Sequence, residues 1–520
     1  MAWGELILML LPIVVVVFLL AYKEWPADTS GFVGWLLTVA VAIGFFNTSF
    51  TVALVSSIAG LVASFPVSLM VATSILQIIY MESTGALRRI IIFIKTIANS
   101  DKAVQVMIIN VGFGTLLASV GATPVSILPP VMIALGYSTF IAVALPAIGY
   151  DALCTYALLG APIVVFSDMT GVSLTEAGVV FAKFLPVIST LIGLAMLWII
   201  GGFKLIKQGL IPTLISGIVI GLTAVWVNTV GGTVLTGVFA GLATILVMLV
   251  YLMILRKPII DRSILSAEER DYAANYSLLR AFSPWIILII ASLMVNFIPI
   301  IRDYLYSEHP GALSIIPITG KEIKTRVFWN AYWWIFVSML LSIPFLRPTA
   351  KQLTESVNKW LKRAIRPTIS AAVFFATAYV LNYSGFAEIG GTWKLLNPEN
   401  NMISILADTT ARAFGGLYPL TAAFLGLFGG FISGSEASTI AMFAKYNTIT
   451  SAKIGAQALV VIAGTAIGGG LASVISPAKL QNAAATIDAQ GIESKVIRTT
   501  FVISLLITAV AAVMTFLWAW

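Results

Sequence analysis

The sequence predicts an all-α polytopic membrane protein built from inverted repeats, with two re-entrant hairpins and broken helices. Three observations carry that reading. Of 520 residues, 59% are hydrophobic and only 10% charged, and the mean hydropathy is +1.01; a soluble domain carries about 25% charged residues on its surface. The apolar runs are continuous, as in "LILMLLPIVVVVFLLAY" and "TILVMLVYLMIL", which fits spanning helices and not barrel strands, whose residues alternate. Short motifs also recur at a nearly constant offset in the two halves of the chain.

Taken in order, apolar segments fall near 4–22, 32–46, 64–82, 103–119, 122–136, 139–166, 178–200, 208–226, 231–255, 281–301, 327–346, 367–385, 416–433, 436–447, 453–477 and 499–518. The first has no small-residue cleavage site before "KEWPADTSG", so it is expected as a span and not a removed signal. The net charge of +8 lies in short loops between spans, the positive-inside pattern. Segment 347–366 sets Arg347, Lys351, Lys359, Lys362, Arg363 and Arg366 against Glu355 and is expected as a cytoplasmic loop. Counting spans from it puts 84–102, 202–208 and 256–280 inside too, and both termini outside.

Four of these segments look too short to span, and two of them matter here. Residues 122–136 rise about 22 Å and 436–447 about 18 Å as helices, against a hydrocarbon core of about 30 Å. Each follows a breaker-rich turn, "SVGATPVS" at 119–126 and "SGSEAST" at 433–439. A helix, a polar turn and a short returning helix make a re-entrant hairpin, tolerated at depth where protein or a wet cavity surrounds it. The alternative is two short tilted spans joined at the surface.

The repeat favours hairpins. Ser119 corresponds to Ser433 at an offset of 314, Pro162 to Pro477 at 315, and Glu176 to Glu493 and Phe184 to Phe501 at 317. "STGAL" at 83–87 is also similar to "YSGFA" at 383–387. By span count, one hairpin starts inside and the other outside. Inverted repeats with broken helices are the architecture of many secondary transporters, with the site at the repeat interface. The expected organisation is scaffold helices over 1–102, a first core over 103–200 with hairpin 103–136 and broken helix 139–166, and central scaffold over 201–346. A basic segment and scaffold helix follow over 347–402, then a second core over 403–520 with hairpin 416–447 and broken helix 453–477.

The chemistry is expected where turns and breaks converge. The first turn offers Ser119, Gly121, Thr123 and Ser126; the second offers Ser433, Gly434, Ser435, Ser438 and Thr439. Helix N-termini with unpaired N–H groups favour an anion, although ordinary N-capping by Ser and Thr gives the same pattern. The broken spans add Gly149, Asp151, Thr155, Tyr156 and Pro162 on one side. On the other they add Thr465, glycines 468–470, Ser473, Ser476, Pro477 and Lys479. The glycine run reads equally well as a packing surface. Ionisable residues at membrane depth are costly and functional by default, which singles out Glu436, Asp151 and Lys479; an Asp151–Lys479 pair is the structural alternative. Glu176 and Glu493 read as surface charges, and Asp408–Arg412 as a local helical ion pair.

One cysteine, Cys154, and one histidine, His309, exclude an intrachain disulfide and a His/Cys metal cluster. Walker, Rossmann and HExxH motifs are missing, and with no nucleophile–base pair an enzyme is not expected. Nucleic acid is not an expected partner, because the basic residues follow the span pattern. A channel would more often be a small oligomeric pore.

At these same residues the chain resembles the lactate permease family. The resemblance lies in "VLNYSGFAE", "FLGLFGGFISGSEASTIAMFA", "SVISPAKLQNAAA" and the "GIES" run, and earlier in "FGTLLASVGATPVSILPPVMIALGY", "LGAPIVVFSDMTGVS" and "LLRAFSPWIILII". It implies symport of lactate, glycolate or a related 2-hydroxy monocarboxylate with protons across the cell membrane, with no cofactor beyond the coupling ion. A sodium-coupled carboxylate carrier is the alternative. It also implies an ion-transporter-type fold in which one domain slides as an elevator, often in a dimer surrounded by membrane lipid. Where the family's first hairpin commonly carries a glutamate, Ala118 and Ser119 stand here, while Glu436 matches the family's aspartate in the second. Asp151 and Lys479 replace uncharged polar residues. Substrate contacts are thus expected from the two turns with Ser476 and Lys479, and the coupling proton on Glu436 or Asp151.

Overall fold

A computed structural model describes every residue except 1–2, 24, 150, 309–313, 319–320, 391 and 396; His309 therefore lies outside the described residues. The fold is all-helical apart from two short antiparallel hairpins, β1 Ser314–Ile318 with β2 Lys321–Lys324 and β3 Phe386–Ile389 with β4 Thr392–Leu395. Among the described residues, eleven helical segments are long and apolar enough to cross a membrane.

The chain opens with α1 Trp3–Ala21, α2 Ala27–Phe45, α3 Phe50–Ala63, α4 Phe65–Ser83 and α5 Ala86–Lys95. Next come α6 Lys102–Val106, a π-helical stretch Met107–Phe113, α7 Gly114–Ser119 and α8 Pro124–Ala134. α9 Thr139–Gly149, a 3-10 turn Asp151–Tyr156, α10 Ala157–Thr170 and α11 Leu174–Ala182 follow. The centre holds α12 Leu185–Thr229, broken at Gly201–Gly202, then α13 Thr236–Ile254, α14 Ala267–Asn275, α15 Leu278–Phe297, α16 Pro299–Asp303, α17 Ala331–Leu341 and α18 Ile343–Leu346. The last part is α19 Ala350–Tyr383, α20 Met402–Phe414, α21 Tyr418–Ser433, α22 Glu436–Ile454, α23 Ala458–Leu471, a 3-10 turn Ala472–Ile475, α24 Pro477–Ala485 and α25 Glu493–Trp518.

Most of the basic segment 347–366, expected as a loop, is helical: from Ala350 on it forms the first half of α19. Thr349 and Gln352 make a capping box, and the Lys, Gln, Leu and Ala that follow are strong helix formers. Its buried face is tied to α4, with the Trp360 indole donating to Ala72 O at 2.8 Å and the Gln352 amide to Ser83 O at 2.8 Å. Further along, Gly60 of α3 meets the α19 backbone so closely that a Cβ would lie 2.6 Å from Phe375 O.

Two of the four basic segments expected on one side, 84–102 and 256–280, touch each other, and the second reaches the residue that precedes 347–366. Lys95 bonds Glu269 at 2.6 Å, Lys257 bonds Asp101 at 2.7 Å, and Arg280 donates to Leu346 O at 2.9 Å. The Asp408–Arg412 pair forms at 2.8 Å and Lys453 joins it at 2.7 Å.

The two halves share a pattern around the turns. α7 ends at Ser119 and α21 at Ser433, the residues matched by the sequence repeat, and each is followed by a left-handed glycine, Gly121 at φ +90° and Gly434 at φ +66°. Left-handed backbone lies just before the first matched proline, at Leu158, Leu159 and Gly160. Before the second come a 3-10 turn and an extended Ser476. α22 runs on to Ile454, well past the apolar run 436–447. No Gly or Pro interrupts 440–454, and two of the polar residues that lower its hydropathy are satisfied internally: the Asn447 amide donates to Thr465 Oγ1 at 2.9 Å and Thr450 to Tyr446 O at 2.8 Å. Gly455, at φ +79°, closes the helix, so the second broken helix starts at Ala458 and not near 453.

α21, α22 and α23 pack through small residues. A Cβ on Gly426 would fall 1.7 Å from Thr465 O, one on Gly430 2.2 Å from Gly469 O, and one on Gly468 1.9 Å from Ala423 O. Gly469 seats the Thr439 side chain. Two of the three consecutive glycines are thus packing positions, and the third, Gly470, faces the carboxyl described next.

Candidate functional site

Glu436 starts α22 and is 3% exposed. Ser435 caps the helix by accepting the Ser438 N–H at 3.3 Å, and a carboxylate in the first turn also suits the dipole. One carboxyl oxygen, Oε1, accepts a hydrogen bond from Thr155 Oγ at 2.6 Å, across from the first core. The other, Oε2, has no hydrogen-bond partner among the described residues and lies against Gly470, where a Cβ would sit 2.7 Å from it.

From there polar groups run on through both halves. Cys154, next to Thr155 in the 3-10 turn, places its Sγ 3.9 Å from Ser473 Oγ. Ser473 lies in the second break and accepts from Lys479 Nζ at 2.6 Å. Ser476, buried and extended, stands at the N-cap position of α24 without a side-chain capping bond, and its hydroxyl lies opposite Gly434. One turn beyond Lys479, the Asn482 amide donates to Ser126 Oγ of α8 at 2.9 Å.

The predicted residues thus separate. Glu436, Lys479, Ser476 and Gly434 gather around the breaks, and Ser126 is joined through Asn482. Ser119 is buried elsewhere: its hydroxyl donates to Thr115 O at 2.8 Å and packs on Gly237 of α13. Gly121 faces Ser74, Ile335 and Leu158, and Thr123 is exposed. In the second turn Ser433 donates to Gly429 O at 2.9 Å and Thr439 to Ser435 O at 2.9 Å. Those hydroxyls, like that of Ser435, are used by the turn itself, whereas fully buried Ser438 Oγ has no partner among the described residues. The Asp151 backbone opens the 3-10 turn; its side chain lies outside the described part, and with it the expected pairing to Lys479.

Cys154 and Asn482 are members of the arrangement that the sequence did not single out for the site, and Thr155 and Ser473 were named in the broken spans but not among the expected substrate contacts. Their signal was position, since all lie in or beside the broken spans. Lys445 was missed as well. It is a half-buried lysine on α22 whose Nζ donates to Asn382 O at 2.5 Å and lies 4.9 Å from the Tyr383 ring and 5.2 Å from Phe386. A cavity of about 270 Å³ lined by Val180, Lys183, Phe184, Gln457, Val460 and Trp518 lies at the other end of α23, away from Glu436. Among the described residues no group of three His, Cys, Asp or Glu is placed to hold a metal ion.

The arrangement offers a buried carboxyl, a lysine ammonium, several hydroxyls and two helix N-termini. It can hold a small anion and exchange a proton; it holds no activated nucleophile. Thr155→Val keeps the side-chain shape but leaves Glu436 Oε1 unbonded. A hydrogen bond to a charged partner is worth about 1.5–3 kcal/mol, so solute flux through the purified variant should fall about tenfold or more, with Thr155→Ser restoring it. Flux equal to the parent's in Thr155→Val would detach this bond from function.

A sequence profile described as L-lactate permease matches residues 5–520. Glycolate permease GlcA of Escherichia coli K12 is 24% identical, covering 98% of this chain and 95% of that one. The L-lactate permease of the same organism is 24% identical over 94% and 92%, and that of Bacillus subtilis 23% identical over 98% and 94%. Among solved structures, the antimetabolite efflux pump MtrF of Neisseria gonorrhoeae gives a TM-score of 0.42 at 14% identity, covering 89% of this chain and 83% of that one, a likeness too slight to bear on the fold.

Proposed function

Since the chain belongs to the L-lactate permease family, we propose that this multi-pass membrane protein carries lactate, glycolate or a related small 2-hydroxy monocarboxylate across the cell membrane together with a proton. The relatives are named as permeases, and the chain is a transporter and not an enzyme. The observation that supports the finer reading is Glu436: a buried carboxyl with one oxygen unbonded, held by Thr155 from the opposite half and joined through Cys154 and Ser473 to Lys479.

In this reading the substrate carboxylate meets Lys479 and the N–H groups that open α22 and α24. Glu436 takes up a proton beside it, since a buried site bears one negative charge more easily than two. The pair then crosses with its charge compensated, and the proton leaves with the substrate on the other side. The two cores, 103–200 and 403–520, move against the remaining helices in elevator fashion, with 347–366 inside and both termini outside. Lipid surrounds the chain, and a dimer is the expected assembly.

Purified protein in liposomes tests this directly. Labelled L-lactate or glycolate should accumulate on an inwardly directed proton gradient and not on a sodium gradient alone. Accumulation on sodium at equal internal and external pH would overturn the coupling; no uptake of either acid would overturn the substrate class.

A further inference from the structure

The first half of α19 presents three faces. One is buried, with Ser356 at 2% and Ala364 at 3% exposure, and holds Trp360 against α4. Beside it runs an apolar stripe at four-residue spacing that the described residues leave about half exposed: Val357 is 46% exposed, Leu361 47%, Ile365 52% and Ile369 44%. The third face carries Lys351, Lys359, Lys362, Arg363 and Arg366 with Glu355 as the one acid.

These cations are weakly compensated within the chain. Lys351 lies 3.9 Å from Glu355, Arg363 3.6 Å from Glu82 and Arg366 3.9 Å from Asp28, with the basic side chains 85%, 61% and 73% exposed. Long exposed pairs of this kind contribute little. Lys359 and Lys362 make no ion pair among the described residues. The contact to Asp28 also sets the level of Arg366: it lies beside the α1–α2 turn, where Tyr22 is 74% and Trp25 44% exposed, the aromatic pattern of a lipid–water boundary.

An apolar stripe flanked by cations, on a helix that continues a membrane span at that boundary, matches an interfacial surface. A second copy of the same face would set like charges against each other. Phosphodiester anions complement it, and guanidinium groups bind phosphate in bidentate fashion.

We propose that residues 351–369 bind anionic phospholipid: acyl chains lie along Val357, Leu361, Ile365 and Ile369, and headgroup phosphates meet Lys359, Lys362, Arg363 and Arg366. The site is independent of the transport reading. The full-length protein in neutral detergent is titrated with phosphatidylglycerol, phosphatidylcholine or glycerol phosphate while its melting midpoint is followed. Phosphatidylglycerol should raise the midpoint and lose that effect at high salt; the other two should not. The variant K359Q/K362Q/R363Q/R366Q should bind phosphatidylglycerol more than about tenfold more weakly while melting like the parent in phosphatidylcholine. Should that variant fold poorly, K359Q/K362Q, which touches neither ion pair, should show a smaller loss in the same direction. Equal responses to the two lipids, an equal response to glycerol phosphate, or an undiminished response in both variants overturns the proposal. So does a change from dimer to monomer in Leu361→Ser/Ile365→Ser with lipid response intact, which would give this face to a second copy.

Discussion

Glu436→Gln should abolish accumulation driven by a pH gradient while leaving exchange of internal for external substrate in place. Glutamine has the shape of a protonated glutamate and its Oε1 still accepts from Thr155, whose hydroxyl is 2.6 Å from the present oxygen. The local fold is therefore retained, and Ser435 still caps α22. What is lost is the ability to release a proton. A carrier fixed in the neutral form can bind substrate, turn over and return only when loaded, so counterflow continues. A permanently neutral group transfers no proton, so the pH gradient no longer drives the substrate uphill and the loss of concentrating power should be complete. Both assays are run on one preparation of proteoliposomes. If the variant concentrates substrate as the parent does, Glu436 is not the coupling residue, and Asp151→Asn is the next variant to measure. If exchange disappears as well, Glu436 contributes to binding, and the conservative Glu436→Asp distinguishes charge from shape.

Gly468→Ala should damage the folded protein severely for a single added methyl group. The added Cβ would lie 1.9 Å from Ala423 O, 2.8 Å from its carbonyl carbon and 3.0 Å from Leu427 N. All three are backbone atoms of α21, so no side chain can rotate away. Overpacking in cores typically costs about 1–3 kcal/mol when side chains absorb it; here two helix backbones must separate, and the cost should exceed that range. The same separation would withdraw Gly470 from Glu436 Oε2, so activity should fall along with stability. A lower melting midpoint and a smaller monodisperse fraction in detergent are the expected readings. Gly44→Ala is the matched control, since nothing lies within 4 Å of a Cβ there. A Gly468→Ala protein that melts with the parent would mean that α21 and α23 are not held at this distance.

The places where the chain turns were legible because turns need particular residues. Gly121 and Gly434 take the left-handed backbone that a helix end requires, and the helices stop at Ser119 and Ser433 as the repeat had paired them. The two failures of element length share one cause: hydropathy was read as a boundary. The cations of 347–366 suggested a loop although Thr349 and Gln352 already formed a helix start. Asn447 appeared to help end α22 because its partner, Thr465, lies elsewhere in the sequence, and Thr450 because its hydroxyl is taken up by Tyr446 O of the same helix. The site was legible as a neighbourhood and not as a set of contacts. A hydroxyl that caps a turn and one that faces a carboxyl have the same letter, so Ser433 and Thr155 could not be ranked before the fold placed one on Gly429 O and the other on Glu436. Lys445 was hidden for a similar reason: its aromatic neighbours Tyr383 and Phe386 come from the end of α19 and the strand after it.

The sole sulfhydryl of the chain lies between the two breaks, with Thr155 beside it and Ser473 across from it. A protein with many thiols must be stripped of them before one can serve as a reporter; here that engineering is unnecessary. Thiol alkylation of the native chain by a small maleimide reports on one buried atom, Cys154 Sγ. Labelling rates measured with and without an organic acid, on either face of a sealed vesicle, would report how the exposure of that atom changes, through a probe the chain already has.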